Sequence, residues 1–144
     1  MRTYILASHG KLAEGILSSA EMIIGKQENV KVFCLKPGEH PQNFAEDIKE
    51  MIAQDPNRDY IIITDIVGGS VYTALSQLIK CERVYIVSGM NLSMVLELFL
   101  ISETSSIQEG IREVLEKSKK SIVFTNDLVK QNYEEGGKEE WLNC

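Results

Sequence analysis

Short β-branched or apolar runs alternate along this chain with longer segments of helical period, the pattern of a parallel sheet flanked by helices. Residues 3–7, 30–35, 60–65, 84–88 and 121–125 read as strands, and residues 11–24, 41–53, 70–79, 92–103 and 106–118 as helices. In the first helix Leu12, Ile16, Leu17, Ala20 and Ile24 form one apolar stripe, with Lys11, Glu14, Ser18 and Glu21 on the other side, so it packs on the sheet by a single face. The element ends carry matching signals. Gly25 follows the first helix where a positive φ is wanted, Pro41 stands near the start of the second, and Asp55-Pro56-Asn57 marks the turn into the third strand.

Two segments depart from this pattern. From Leu92 to Ile101 the chain is apolar almost all round a helix, interrupted only by Ser93 and Glu97. It is about half the length needed to span a bilayer, so it reads as a buried helix. Such a helix needs cover on two sides, either from within the chain or from a second copy. After Thr125 the composition turns polar. The expected organisation is therefore one domain over residues 1–125 and a tail over 126–144, mobile or docked through Trp141 alone.

Composition narrows the function. A chain of 144 residues is long enough for one well-buried core, and a net charge of −6 without a Lys/Arg cluster argues against gripping nucleic acid. A protein partner is expected instead. The start, Met-Arg-Thr, leads straight into the first strand with no signal-like apolar stretch, which places the chain in the cytoplasm. Cys34, Cys81 and Cys144 are too far apart for a metal knuckle and odd in number, so they read as reduced thiols.

The candidate chemistry lies at strand ends. The first strand runs out into Ser8-His9-Gly10, and the third into Asp65 and then Gly68-Gly69-Ser70. Ligands bind at the carboxyl ends of strands in open α/β sheets. In a flavodoxin-like order 2-1-3-4 the first and third strands are neighbours about 4.8 Å apart, which brings His9 and Asp65 within hydrogen-bonding reach. In a dinucleotide-binding order they are separated, and the first turn lacks the GxGxxG fingerprint. The flavodoxin-like order is therefore expected.

In that arrangement Asp65 orients the His9 ring and supports the positive charge it gains when its free nitrogen attacks phosphorus. Which nitrogen attacks is left open. Gly68 and Gly69 permit a tight turn whose amides, with the Ser70 hydroxyl, receive a phosphoryl group. Gly10 leaves room for a partner to reach the ring, and His40 is a surface or rim residue. A hydrolase built on Ser8 or Ser70 would need a Gly-x-Ser-x-Gly elbow that is missing. A receiver domain phosphorylated on Asp65 would need an acidic cluster where Ser8-His9 stands.

Ile5-Leu6-Ala7-Ser8-His9-Gly10, Ala13-Glu14-Gly15, Ser18-Ser19-Ala20-Glu21-Met22, Thr64-Asp65-Ile66-Val67-Gly68-Gly69-Ser70 and Ser88-Gly89-Met90-Asn91-Leu92 together resemble the enzyme IIA component of the mannose-type sugar phosphotransferase system. The resemblance covers residues 1 to about 125 and implies that His9 takes a phosphoryl group from the histidine-containing phosphocarrier protein. It implies delivery to enzyme IIB on a separate polypeptide, and through it to a sugar entering by a membrane permease. It also implies a homodimer exchanging a last, antiparallel strand at 121–125. Asp65 would orient His9, Ser70 and the glycine turn would hold the phosphate, and no metal or organic cofactor would take part. A regulatory module using the same histidine is the alternative. Val71, Tyr72, Thr73 and Ser93 depart from the residues the family usually has there, which argues for a sugar other than mannose.

Overall fold

The computed structural model describes residues 1–103 and 106–134, the last four of these by their backbone alone. Strands β1 (Arg2–His9), β2 (Val30–Leu35), β3 (Asp59–Thr64) and β4 (Val84–Ser88) alternate with helices α1 (Leu12–Ile24), α2 (Gln42–Gln54), α3 (Ser70–Ser76), α4 (Leu92–Phe99), α5 (Ile107–Lys120) and α6 (Thr125–Glu134). A 3-10 turn, Gln77–Lys80, continues α3, so the single helix expected over 70–79 is one that tightens in its last turn. The strands form one parallel sheet in the order β2-β1-β3-β4, with Ala7 opposite Thr64 across the β1–β3 pair. The flavodoxin-like order is thus the observed one.

Alternation along each strand divides the core in two. Tyr4, Leu6, Ile61, Ile63 and Val87 face α1, α4 and α5, while Ile5, Ala7, Tyr60, Ile62 and Val84 face α2, α3 and the 3-10 turn. Helices therefore cover both faces, and β1 is buried at every position except His9. Gly25 does adopt a positive φ of 82° and its N–H closes α1 on the Glu21 carbonyl. Pro41 occupies the residue before α2.

The fold supplies internal cover for one face of the apolar segment after Leu92, while Leu100 stays exposed. Met94, Val95 and Leu98 of α4 are buried on the sheet, and α1 and α5 pack on its flanks. The Asn91 side chain caps the helix by accepting the Met94 N–H at 3.0 Å, and the Tyr4 hydroxyl donates to the Leu98 carbonyl at 2.8 Å. The helix ends at Phe99, four residues short of the expected span over 92–103. Among the described residues no helix is long and apolar enough to cross a membrane.

The C-terminal region corrects the expectation twice. Residues 121–125 do not form a fifth strand within the single chain: Ser121 ends α5 in a turn, residues 122–124 pair with no strand, and α6 begins at Thr125. A strand exists only where an edge satisfies its backbone, and this segment meets none here. Ile122, Val123 and Phe124 are instead 79%, 51% and 65% exposed. The polar tail also begins as a helix, because residues 125–134 contain no Gly or Pro to stop one. Trp141 lies outside the described residues. Cys34 and Cys81 are free, partly buried thiols.

Candidate functional site

The sheet order sets β1 beside β3, so the chain leaves both strands at one carboxyl edge. His9 is the last residue of β1, and Gly10, at φ +53°, turns the chain away while its N–H donates to the Leu35 carbonyl at 2.9 Å. A side chain on Gly10 would meet nothing within 4 Å, so inside the chain this glycine answers a backbone demand rather than a spatial one. Ser8 steadies the same turn from below. It is fully buried, and its Oγ accepts the Ala13 N–H at 2.8 Å, satisfying an amide in the first turn of α1 that Lys11 leaves uncapped. The sequence reading missed this role. Its only signal is a serine placed between a buried strand and the start of a helix.

Asp65 and His9 meet as the strand order demanded. Asp65 Oδ2 accepts both the His9 backbone N–H at 2.8 Å and the ring Nδ1–H at 2.7 Å, while Oδ1 accepts the Ile66 N–H at 2.9 Å. An ionised carboxylate only accepts, so this bond assigns the ring proton to Nδ1. Nε2 then carries the free lone pair, and the Ser70 hydroxyl lies 3.0 Å from it as donor. The ring is thus held at both nitrogens, with its Nε2 lone pair turned toward the mouth of the β3–α3 turn.

The environments of the two partners differ. The Asp65 side chain is 9% exposed and that of His9 45%. Burial pushes the Asp65 carboxyl upward, but the His9 backbone and ring N–H donors, the Ile66 N–H and the His9 charge together outweigh it and hold its pKa below the ordinary value. The carboxylate is therefore ionised throughout the neutral range.

The two glycines of the turn serve different needs. Gly68 takes a φ of +77°, a conformation costly for other residues. Gly69 has an ordinary φ of −68°, but a Cβ there would lie 2.9 Å from Ile66 Cγ2 and 3.2 Å from His9 Cε1. Its lack of a side chain is what lets the imidazole lie against the turn. Ser70 follows as the first residue of α3, and Thr73 Oγ1 donates back to the Gly69 carbonyl at 2.9 Å. His9, Asp65, Gly69 and Ser70 are thereby brought together, with Gly68 in the same turn. His40 lies apart from this hydrogen-bonded group, in the loop before α2.

A model of the family described as PTS system fructose IIA component matches residues 3–115. The chain belongs to that family. It is 27% identical over 121 residues to the mannose-specific EIIAB component of the phosphotransferase system in Escherichia coli K12, an alignment covering 82% of this chain and 38% of that relative. The chain thus spans well under half of that longer protein. It is 28% identical over 112 residues to the sorbose-specific EIIA component of Lacticaseibacillus casei, covering 77% of this chain and 81% of the relative. A crystal structure from Klebsiella pneumoniae, described as a phosphoenolpyruvate-dependent sugar phosphotransferase system permease, superposes with a TM-score of 0.79 at 31% identity, covering 89% of this chain and 93% of that one. Membership of the IIA family accords with the mannose-type resemblance carried by the strand-end motifs.

Proposed function

We propose that this chain is a phosphotransferase of the sugar phosphotransferase system in which Nε2 of His9 carries the phosphoryl group between two proteins. The observation that carries this reading is the chain of contacts Asp65 Oδ2, His9 Nδ1, His9 Nε2 and Ser70 Oγ, at 2.7 Å and 3.0 Å. Nε2 of the neutral ring attacks the phosphorus of a donor phosphohistidine. The N–P bond of the donor breaks, and its imidazole leaves with that electron pair. His9 keeps its Nδ1 proton and becomes a phosphoimidazolium, whose positive charge lies against the Asp65 carboxylate. Ser70 turns its hydroxyl from Nε2 to a phosphoryl oxygen, joined by amides of the Gly68-Gly69 turn. The reverse displacement, with an acceptor on enzyme IIB, hands the group on toward sugar uptake, and the histidine-containing phosphocarrier protein is the donor.

The same reading gives a working unit over residues 1–125 and a homodimer in which residues 121–124 of each copy add an antiparallel strand to β4 of the other. Two observations support it: β4 lies at the edge of the sheet, and the apolar residues of the 121–124 segment are exposed in the single chain.

Incubation with phosphoenolpyruvate and the two general phosphotransferase proteins is expected to add one phosphate per chain, acid-labile and alkali-stable. His9→Ala should abolish it. Label that persists in this variant would overturn the reading.

A further inference from the structure

Beyond Ser88, the last residue of β4, the chain runs through Gly89-Met90-Asn91 at the same carboxyl edge of the sheet as His9 and Asp65. Among the described residues none of these side chains bonds to His9, Asp65 or Ser70. Their contacts run instead to the residue before Asp65. Thr64 ends β3 and is fully buried, and its carbonyl accepts two amides of the loop, the Gly89 N–H at 3.1 Å and the Met90 N–H at 3.0 Å. Its hydroxyl lies 2.9 Å from Ser88 Oγ. Gly89 makes the double donation possible. At φ +93° it turns the chain so that two successive N–H groups converge on one oxygen.

Asn91 locks this turn from the other side. Its Nδ2 reaches back to donate to the Gly89 carbonyl at 3.1 Å, while Oδ1 accepts the Met94 N–H at 3.0 Å. The neighbours fix which end is which, because a carbonyl only accepts and a backbone N–H only donates. Capping α4 uses Oδ1 alone, and aspartate or serine caps a helix about as well as asparagine. The Nδ2 bond is therefore one that capping does not require.

Peptide planarity links these bonds into a chain. The Gly89 carbonyl and the Met90 N–H belong to one rigid plane, and the Thr64 carbonyl and the Asp65 Cα to another. Asn91 holds the first plane at its oxygen, and the N–H of that plane holds the second at its oxygen. The second plane carries the Asp65 side chain, whose Oδ2 must lie 2.7 Å from His9 Nδ1.

We propose that Asn91 is a positioning residue for the His9 reaction, acting through these two peptide planes to set the Asp65 carboxylate on the imidazole. The proposal rests on the reading of His9 as phosphoryl acceptor. Its effect is partial, because Asp65 is also tied by the His9 and Ile66 backbone N–H groups.

Two substitutions in the full chain separate positioning from capping. Asn91→Asp and Asn91→Ser each keep an oxygen for the Met94 N–H, but aspartate has no donor and the single polar atom of serine is engaged by the cap. The freed Gly89 carbonyl is exposed and turns to water, so both variants should unfold close to the wild-type temperature. Labelling of His9 by the phosphorylated protein donor should slow about three- to tenfold in both, the range for one lost neutral hydrogen bond, with the loss in kcat and not in KM. Nitrogen NMR of His9 should show the Nε2–H tautomer appearing beside the Nδ1–H form. Wild-type rates and an unchanged tautomer in both variants overturn the proposal. So does a loss confined to Asn91→Asp, which its added charge explains, or a loss that tracks a large fall in melting temperature. A wild-type chain that takes no phosphate on His9 overturns the acceptor reading, while the tautomer in the two variants still decides whether Asn91 sets the Asp65–His9 pair.

Discussion

Replacing Asp65 with asparagine tests the charge logic of the site with little change in shape. Asparagine keeps the size of the side chain and one oxygen to accept the Nδ1–H, so it removes the negative charge together with the acceptor of the Ile66 N–H. The form that attacks carries a lone pair on Nε2, so before attack there is no ring charge for the carboxylate to stabilise. As the bond from Nε2 to phosphorus forms, the ring becomes cationic and the carboxylate begins to stabilise it. With charge centres about 4 Å apart, the attraction is about 1 kcal/mol in a water-like medium and about 4 kcal/mol at an effective dielectric of 20. The exposures of 9% for Asp65 and 45% for His9 put this pair between those limits. Asp65→Asn should therefore slow phosphorylation about 10- to 1000-fold, less than the loss in a fully buried triad.

Rapid-quench labelling from the phosphorylated donor measures this loss, and nitrogen NMR of the imidazole reports its tautomer. Wild type should show Nδ1–H and a phosphate on Nε2. The same substitution has a signature in stability. The folded-state pKa of Asp65 is depressed, so its contribution is fully present above the unfolded value of about 3.9 and is lost as pH falls through the lower folded value. The stability gap between wild type and Asp65→Asn should narrow as pH falls below about 4. A variant labelled at the wild-type rate, or a phosphate found on Nδ1, would refute the assignment of roles to the two ring nitrogens.

Gly69→Ala should separate activity from stability. Backbone strain is absent at φ −68° and exposed Ile66 can swing aside, so the melting transition should reflect a loss of about 1 kcal/mol. The imidazole cannot yield without loosening its bonds to Asp65 and Ser70, so labelling should slow at least about tenfold; an unchanged rate would show that the ring does not need this close approach. Phe124→Asp should convert a dimer into monomers in sedimentation velocity, since it places a charge in the middle of the segment proposed to pair with β4. A wild-type monomer, or a variant that remains dimeric, would exclude that pairing.

What could be read ahead of the structure was whatever depends on short-range pattern. Alternation at Tyr4 to Ala7 and Tyr60 to Thr64 located the strand ends, and placing His9 beside Asp65 then selected the sheet order, because only neighbouring strands bring the two together. Features that depend on atomic approach could not be read in this way. The serine that ties the first turn, Ser8, looks like any buried polar residue until its Oγ is seen on the Ala13 N–H. Likewise the paired glycines read as one flexible turn, whereas Gly68 is needed for its φ and Gly69 for the ring that lies against it.

The missing fifth strand is a different kind of failure. Ser-Ile-Val-Phe-Thr has strand composition, and that composition survives in the structure as three exposed apolar side chains. A strand, however, is a relation between two edges, and sequence pattern reports only one of them. On the far side of the sheet β4 presents the other edge, with Tyr85 and Ile86 only partly covered. An apolar segment without an edge and an edge without a segment, on the same chain, are the two parts that the proposed pairing joins. In that proposal a second copy satisfies both at once, which is why the segment would form a strand only between copies.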